Sequence, residues 1–347
     1  MPELIVTNFN RNFTGVSATA AGVVRQQCAT FDLALAGHPL PGCPAPITPQ
    51  EAVKQSKSPP DGRPFVIWHV RRNTEMRKAL WARDVLRLPV RIVFTSAAQR
   101  RHSAFPRWLI SRMDAVIATT ERAAEFVPHV RAVVPHGVDI NVFHPAADRA
   151  EAWSATGYPG EIGIATVGRI RPEKGTDRFV DAMIALLPDL PNATALVIGR
   201  AGKGCAAFLQ NLKDGIAAAN LSDRILFPGE ISPDALPQMM RALSAIVQLP
   251  RYEGYGMTPL EGMASGVPFV ATDAGYYRNF AGQGATGIIV ADDNADAAAE
   301  AIGALLTDAV QHRKMAAAGR SSAEIHFSVA QEAAGAAAVY EALWAAG

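Results

Sequence analysis

The strongest restriction on this chain is a recurring unit: a short apolar run of three to six residues, a break, then a stretch with helical character. The runs Leu4–Thr7, Leu33–Ala36, Phe65–Trp68, Arg91–Thr95, Ala115–Ala118 and Ala132–Val134 lack strict polar–apolar alternation. Strands that are apolar on both sides are buried on both sides, which is the condition of a parallel sheet covered by helices. A second series repeats the pattern with Ile162–Val167, Ala195–Ile198, Ile225–Phe227, Ala245–Gln248, Val267–Ala271 and Gly287–Val290. Helices are expected over Val16–Gln27, Thr74–Leu88, Thr176–Leu187 and Phe208–Ala219, and in the alanine-rich stretches Ala297–Leu306, Arg313–Ala318 and Val329–Trp344. Residues 37–64 read as a long loop with a short helix near Gln50–Lys54. At 347 residues two cores are the usual solution. The small, polar stretch 144–160 reads as the crossing between them.

Open α/β sheets bind ligands at the carboxyl ends of their strands, so the residues after each run carry the functional argument. After the first strand, Asn12-Phe13-Thr14-Gly15-Val16-Ser17 opens a helix, where free N–H groups could approach a phosphate or sugar oxygen; an ordinary strand-to-helix turn reads the same way. After Ile162–Val167 comes Gly168-Arg169-Ile170-Arg171-Pro172-Glu173-Lys174-Gly175. A planar guanidinium and a compact ammonium between glycines suit a diphosphate, and a solvated loop is the alternative. After Ala245–Gln248 comes Glu253-Gly254-Tyr255-Gly256-Met257-Thr258-Pro259-Leu260-Glu261-Gly262. Carboxylates accept from vicinal sugar hydroxyls. Glu261 is equally placed to serve as the third helical residue of a capping box, with Thr258 as N-cap and Pro259 as first residue. Helix capping leaves Glu253, Gly254 and Gly256 unexplained. Pro135-His136-Gly137-Val138-Asp139 is, by itself, a turn.

In this order the motifs resemble the retaining glycosyltransferases of the GT-B type, glycosyltransferase family 4, which includes glycogen synthases and bacterial mannosyltransferases. The resemblance spans nearly the whole chain. Gly168-Arg169…Lys174-Gly175 is similar to the family's donor-phosphate loop, Glu253–Glu261 with Met263-Ala264-Ser265-Gly266-Val267-Pro268 to its two-glutamate motif, and Pro135–Asp139 with Phe143 to the end of its first domain. Asn8-Phe9…Gly15-Val16-Ser17 and Trp68-His69-Val70-Arg71-Arg72-Asn73-Thr74-Glu75-Met76 look more narrowly like bacterial lipopolysaccharide core mannosyltransferases. The resemblance implies two Rossmann-like parallel-sheet domains facing across a cleft. They are an acceptor-side domain over 1–150, with the helix 329–347 packing back on it, and a nucleotide-sugar domain over 151–328.

It further implies that Arg169, Lys174 and Glu253 act in catalysis, the two cations neutralising the leaving diphosphate and Glu253 meeting the transferred sugar. Glu261 would take the ribose hydroxyls. Gly15, Gly168, Gly254, Gly256 and Met257 would complete the donor site. The donor would be a nucleotide sugar, GDP-mannose by the narrower likeness, with no metal or other cofactor. The acceptor would be a lipopolysaccharide core or lipid-linked saccharide. UDP-sugar donors, other glycan acceptors and a non-catalytic sugar-nucleotide binder stand as alternatives. Many relatives carry a histidine just after the strand ending at Ser96, where this chain has Ala97; His69 and His102 are the nearby candidates for a sugar or acceptor contact. No carboxylate reads as a covalent nucleophile, which fits the front-face mechanism proposed for the family.

A net charge of +1 argues against nucleic acid as partner. Three cysteines, Cys28, Cys43 and Cys205, make neither a disulfide framework nor a zinc cluster. No apolar stretch is long enough to span a bilayer and the N-terminus does not read as a secretory leader, so the expected setting is cytoplasmic. Charge is uneven, however: residues 63–112 hold twelve Arg or Lys against Glu75 and Asp84. The stretch 74–91, with Trp81 among basic residues, reads either as a helix lying on the anionic inner face of the cytoplasmic membrane or as one packed on the sheet with a solvated basic face.

Overall fold

The computed structural model describes residues 1–291 and 294–347 and divides into two compact units, 1–139 with 327–347, and 140–326. The first unit contains β1 (Leu4–Asn8), α1 (Gly15–Gln27), β2 (Leu33–Gly37), α2 (Pro49–Gln55), β3 (Val66–Val70), α3 (Asn73–Leu80), β4 (Val90–Ser96), α4 (Ala104–Ile110), β5 (Ala115–Ala118), α5 (Glu121–Ala124) and β6 (Val130–Val133). Its strands pair in parallel in the order β2-β1-β3-β4-β5-β6. Every residue of β1, β3 and β5 is buried, which explains the absence of alternation in the sequence.

The second unit contains α6 (Arg149–Ser154), β7 (Ile162–Val167), α7 (Thr176–Leu186), β8 (Ala193–Ile198), α8 (Ala206–Ala218), β9 (Ile225–Gly229), α9 (Leu236–Ala242), β10 (Ala245–Gln248), α10 (Met257–Ala264), β11 (Phe269–Thr272), α11 (Tyr277–Ala281), β12 (Ile288–Val290), α12 (Ala295–Thr307) and α13 (Ala309–His326). Its parallel order is β12-β11-β10-β7-β8-β9. In each sheet the strand order reverses at one place, between β1 and β3 in the first and between β7 and β10 in the second. A ligand crevice belongs at the carboxyl ends of those strand pairs.

The chain then returns. α14 (Val329–Ala345) is capped by Ser328, whose hydroxyl accepts from Gln331 N, and completes the first unit's core with Ala336, Val339, Tyr340 and Trp344. Trp344 Nε1 donates to the Phe65 carbonyl, and Gln27 Nε2 to that of Ala333.

Two expectations need correction. The division falls at Asp139/Ile140, ahead of 150. Arg320 Nη1 bonds the carbonyls of Ile140 and Phe143, and the Gly266 backbone lies against Pro145, tying that segment to the second unit. The polar stretch 144–160 holds α6, whose Trp153 is buried. The expected helix over 74–88 is also interrupted: α3 ends at Leu80 and continues as a π-helical turn over Trp81–Val85, with Leu86 N bonded to Trp81 O. Arg83 in that turn is drawn to Asp114 and to the Arg112 carbonyl.

Candidate active site

In the second unit the loop after β7 starts at Gly168 and Arg169, both exposed, and Arg169 has no side-chain partner among the described residues. Pro172–Lys174 makes a single 3-10 turn, and Gly175 ends it at φ +66. Only glycine fits there, because a Cβ would overlap the carbonyl oxygen of Leu249 at the end of β10. The turn is strapped to the β10 side by Arg251. Its backbone N donates to the Glu173 carbonyl and its guanidinium makes bonds of 2.8 and 2.7 Å to the Asp177 carboxylate. Burial pushes that carboxyl up, and the Arg251 bonds and charge more than reverse this and hold it below its ordinary value.

The strap brings Lys174 to the loop after β10. Lys174 Nζ donates to Glu253 Oε2, and Glu253 Oε1 accepts from Gly254 N at 3.0 Å. Lys174 is thus held in a partly buried ion pair rather than in a solvated loop, and Arg169 is left without a side-chain partner among the described residues. Arg171 lies 3.8 Å from the Glu173 carboxylate, so its charge is matched by a neighbour.

Gly256, at φ +93, lets α10 begin directly over Tyr277, whose ring a Cβ would overlap. The helix starts at Met257, one residue before Thr258, with no side-chain cap. The capping-box role open to Glu261 is therefore not taken. Glu261 is half-buried, has no hydrogen-bond partner among the described residues, and desolvation pushes its carboxyl up to about 7. Glu253 and Glu261 both act on the Tyr277 hydroxyl, which burial and these two carboxylates push well above its ordinary value. One carboxylate held by a cation and a second with no donor thus lie where the second sheet reverses.

In the first unit, Gly15 opens α1 and is exposed. Thr14 does not cap that helix; its hydroxyl accepts from Arg72 Nη2 at 3.2 Å. Arg72 also bonds Ser17, Asn8 and Glu75. Glu75 is fully buried and accepts from Thr7 Oγ1 and from the backbone N of Phe9, Arg71 and Arg72. This hub joins the loops after β1 and β3.

His69 is corrected as a candidate. It is 1 % exposed, its Nδ1 lies 2.5 Å from the Tyr340 hydroxyl and its Nε2 2.6 Å from Thr95 Oγ1, so it is a satisfied core residue that a sugar does not reach. Burial, Arg71 and His136 hold it well below the ordinary histidine value, hence neutral. His102 does line a cavity of about 150 Å³, with Arg71, Thr95, Ser96, Ala97 and His136. Burial and Arg100 lower its pKa. His136 bonds Glu332 Oε1 at 2.6 Å, and Gly137 N donates to Oε2 of the same carboxylate. Among the described residues no cluster of three His, Cys, Asp or Glu could hold a metal ion.

Arg71, Arg72 and Glu75 stand in the stretch that carries the narrower likeness but had no site role assigned to them, and the Arg251–Asp177 strap was not foreseen. Arg71 and Arg251 follow β3 and β10 within three residues, so the rule of examining what comes after a strand would have singled out both. The partners Asp177 and Glu332 lie too far along the chain for spacing to reveal.

Two parallel six-stranded sheets covered by helices are the architecture of the GT-B fold. The whole chain superposes on Anabaena Alr3699/HepE, solved with UDP and glucose, with a TM-score of 0.83 at 15% identity, covering 99% of this chain and 100% of that one. Residues 151–322 match the family of glycosyl transferases group 1, and the chain belongs to it. It is 43% identical over 345 residues to the lipopolysaccharide core biosynthesis mannosyltransferase LpsB of Rhizobium meliloti (strain 1021), covering 98% of this chain and 97% of that protein. It is 41% identical to LpcC of Rhizobium leguminosarum bv. viciae, covering 98% and 96%. The C-terminal domain of a Francisella tularensis LpcC is 33% identical with a TM-score of 0.54, covering 55% of this chain and 99% of that domain.

Proposed function

We propose that this glycosyltransferase moves a mannosyl group from GDP-mannose onto a lipopolysaccharide core or lipid-linked saccharide with retention of configuration and without a metal. The observation that carries the donor site is the pairing of Lys174 with Glu253 beside free Arg169 and unpartnered Glu261, at the strand-order reversal of the second sheet. The mannosyl and core-saccharide parts rest on the near full-length likeness to LpsB and LpcC.

In this reading Arg169 and Lys174 receive the diphosphate, Glu261 accepts from the ribose diol, and Glu253 meets the sugar. Gly168, Gly254, Gly256 and Met257 bring backbone close to the donor, and Gly15 opens a helix start to a phosphate or sugar oxygen. An acceptor hydroxyl oxygen bonds to the anomeric carbon as the bond from that carbon to the diphosphate breaks. The nucleoside diphosphate leaves with the electron pair and takes the hydroxyl proton on a phosphate oxygen. Fixed cations at the leaving group favour the transition state over the ground state, because charge grows there as the bond breaks. The test is incubation of the purified protein with GDP-mannose, UDP-glucose and other nucleotide sugars, with core oligosaccharide as acceptor. Transfer from GDP-mannose with retained anomeric configuration is expected. Tight nucleotide binding without turnover on any acceptor would make the chain a binding protein, and preference for a UDP-sugar would overturn the donor.

We also propose a cytoplasmic setting with attachment to an anionic membrane surface. Trp81, Val85, Phe105 and Trp108 are 41, 64, 52 and 51 % exposed among basic residues. Lys78 lies over the Trp81 ring and Arg112 over that of Trp108. No helix among the described residues is long and apolar enough to cross a bilayer.

A further inference from the structure

Where the first sheet reverses, between β1 and β3, the structure holds a buried arginine whose guanidinium is left without a full set of partners among the described residues. Arg71 follows β3, is 8 % exposed, and neither its Nε nor its Nη1 has a hydrogen-bond partner. Two half-buried arginines spend their guanidinium groups on backbone carbonyls instead. Arg224 donates to the carbonyls of Leu187, Leu190 and Ala193, and Arg320 to those of Ile140, Phe143 and Ala264. The two carboxylates close enough to act on Arg71 are already engaged: Glu75 by the hub and Glu332 by His136 and Gly137 N. Burial accordingly depresses the guanidinium below its ordinary value.

Arg71 lines the 150 Å³ cavity at this edge. Two further lining residues carry unpartnered buried atoms, Ser96 Oγ and His102 Nε2. Val16 and Phe94 form apolar wall, which strengthens any charge interaction inside. A buried unpaired cation is costly, and a fold keeps one where an anion completes it.

We infer that this cavity is an anion subsite in which Arg71 receives a carboxylate or phosphate group of the saccharide acceptor. The inference rests on the transferase reading for the word acceptor, and on the first unit's own geometry for the anion. A guanidinium matches either oxyanion with charge-assisted bonds, so the site would select an acidic saccharide over a neutral one of the same shape.

The test compares the full-length protein with Arg71→Met and Arg71→Lys. Transfer from GDP-mannose is measured to core oligosaccharide that is untreated, amidated with carbodiimide and methylamine to neutralise carboxylates, or dephosphorylated. One of the two treatments should raise the wild-type acceptor KM about 10- to 100-fold, the range for losing a charged hydrogen bond, and so name the anion. Arg71→Met should raise KM for untreated acceptor by a similar factor, lose discrimination between the forms, and leave the donor KM within about twofold. Arg71→Lys should fall between. Arg71→Met should also keep or raise the melting temperature without ligand, because it removes an unpaired buried charge; a structural arginine would lower it. A second readout needs no turnover: inorganic phosphate or glucuronate, titrated against chloride at constant ionic strength, should raise the wild-type melting temperature more than that of Arg71→Met. If no sugar is ever transferred but this difference appears, the transferase reading fails and the subsite stands. The subsite is overturned by equal shifts in both proteins, by an unchanged acceptor KM in Arg71→Met, by a donor KM that rises as much, or by a marked loss of stability.

Discussion

At the scale of single residues, the donor site turns on which charges are free. Arg169 is exposed and unpartnered, Lys174 is paired with Glu253, and Arg171 is matched by Glu173. Arg169→Ala should therefore leave stability within about 0.5 kcal/mol and lower turnover roughly 100-fold. Lys174→Ala should lose at least as much turnover and also about 1 kcal/mol of stability, because it strands a partly buried carboxylate. Arg171→Ala should change turnover less than about threefold; equal small losses for all three would reduce the loop to a diffuse positive field. Glu261 predicts a pH dependence. Its carboxyl is raised from 4.5 to about 7, so the folded state holds the proton more tightly than the unfolded one. Stability from this group is full below pH 4.5 and is lost as pH rises toward 7. Glu261→Gln should thus gain stability relative to wild type at pH 8 and not at pH 4. A ribose diol, in contrast, wants the ionised acceptor. Affinity for GDP-mannose, whose diphosphate does not titrate in this range, should rise about tenfold between pH 6 and 8 in wild type and stay flat in Glu261→Gln. Parallel slopes in calorimetric titrations of the two proteins would remove Glu261 from the site.

At the scale of elements, most strands were readable because burial on both faces leaves an unmistakable unbroken apolar run, as in Leu4–Thr7 and Ala115–Ala118. The start of α10 was not. Thr258-Pro259 carries the local signature of a helix start, yet Gly256 in a left-handed conformation over Tyr277 begins the helix earlier, a tertiary fit that sequence spacing does not carry. Gly256→Ala adds backbone strain and a clash with that ring. It should cost about 2–3 kcal/mol and lower the melting temperature by roughly 5–10 °C, with nucleotide affinity falling alongside. The interruption of α3 was equally hidden, since Asp114, which holds Arg83, lies a strand away. That interruption leaves Trp81 and Val85 outward, and Arg83 ties their turn to the segment just after α4, which carries Phe105 and Trp108. Co-sedimentation with phosphatidylglycerol vesicles but not phosphatidylcholine vesicles is expected, lost in high salt and weakened by Trp81→Ala combined with Trp108→Ala. Equal binding to both vesicle types would return this surface to an ordinary solvated face.

At the scale of the whole molecule, the chain leaves its first unit at Asp139 and returns to it at Phe327, and the two halves of that unit depend on each other. The returning helix supplies Tyr340 and Trp344, both almost fully buried, and Glu332, which holds His136 and the Gly137 amide. Val138 and Ser328 pair as a lone parallel bridge where the two crossings meet. Among the described residues, the second unit has its own six-stranded sheet and its own core and borrows no strand from the first. Residues 140–326 expressed alone should therefore melt cooperatively. GDP at about 100 times its Kd should stabilise them by about 2.7 kcal/mol, which shifts the melting temperature by roughly 5–10 °C. Truncation of the full chain before Phe327 should act in the opposite half. It strips the first core of two large aromatic side chains, each worth about 3–5 kcal/mol when lost from a core, a loss comparable to the whole of the about 5–15 kcal/mol by which a domain is stable. Scanning calorimetry of the truncated chain should then show the second unit's transition, still raised by GDP, with the first unit's transition missing. A truncated chain that kept both transitions would show that α14 is dispensable to the first core. Loss of both would show that the second unit is not the independent fold its sheet and core describe.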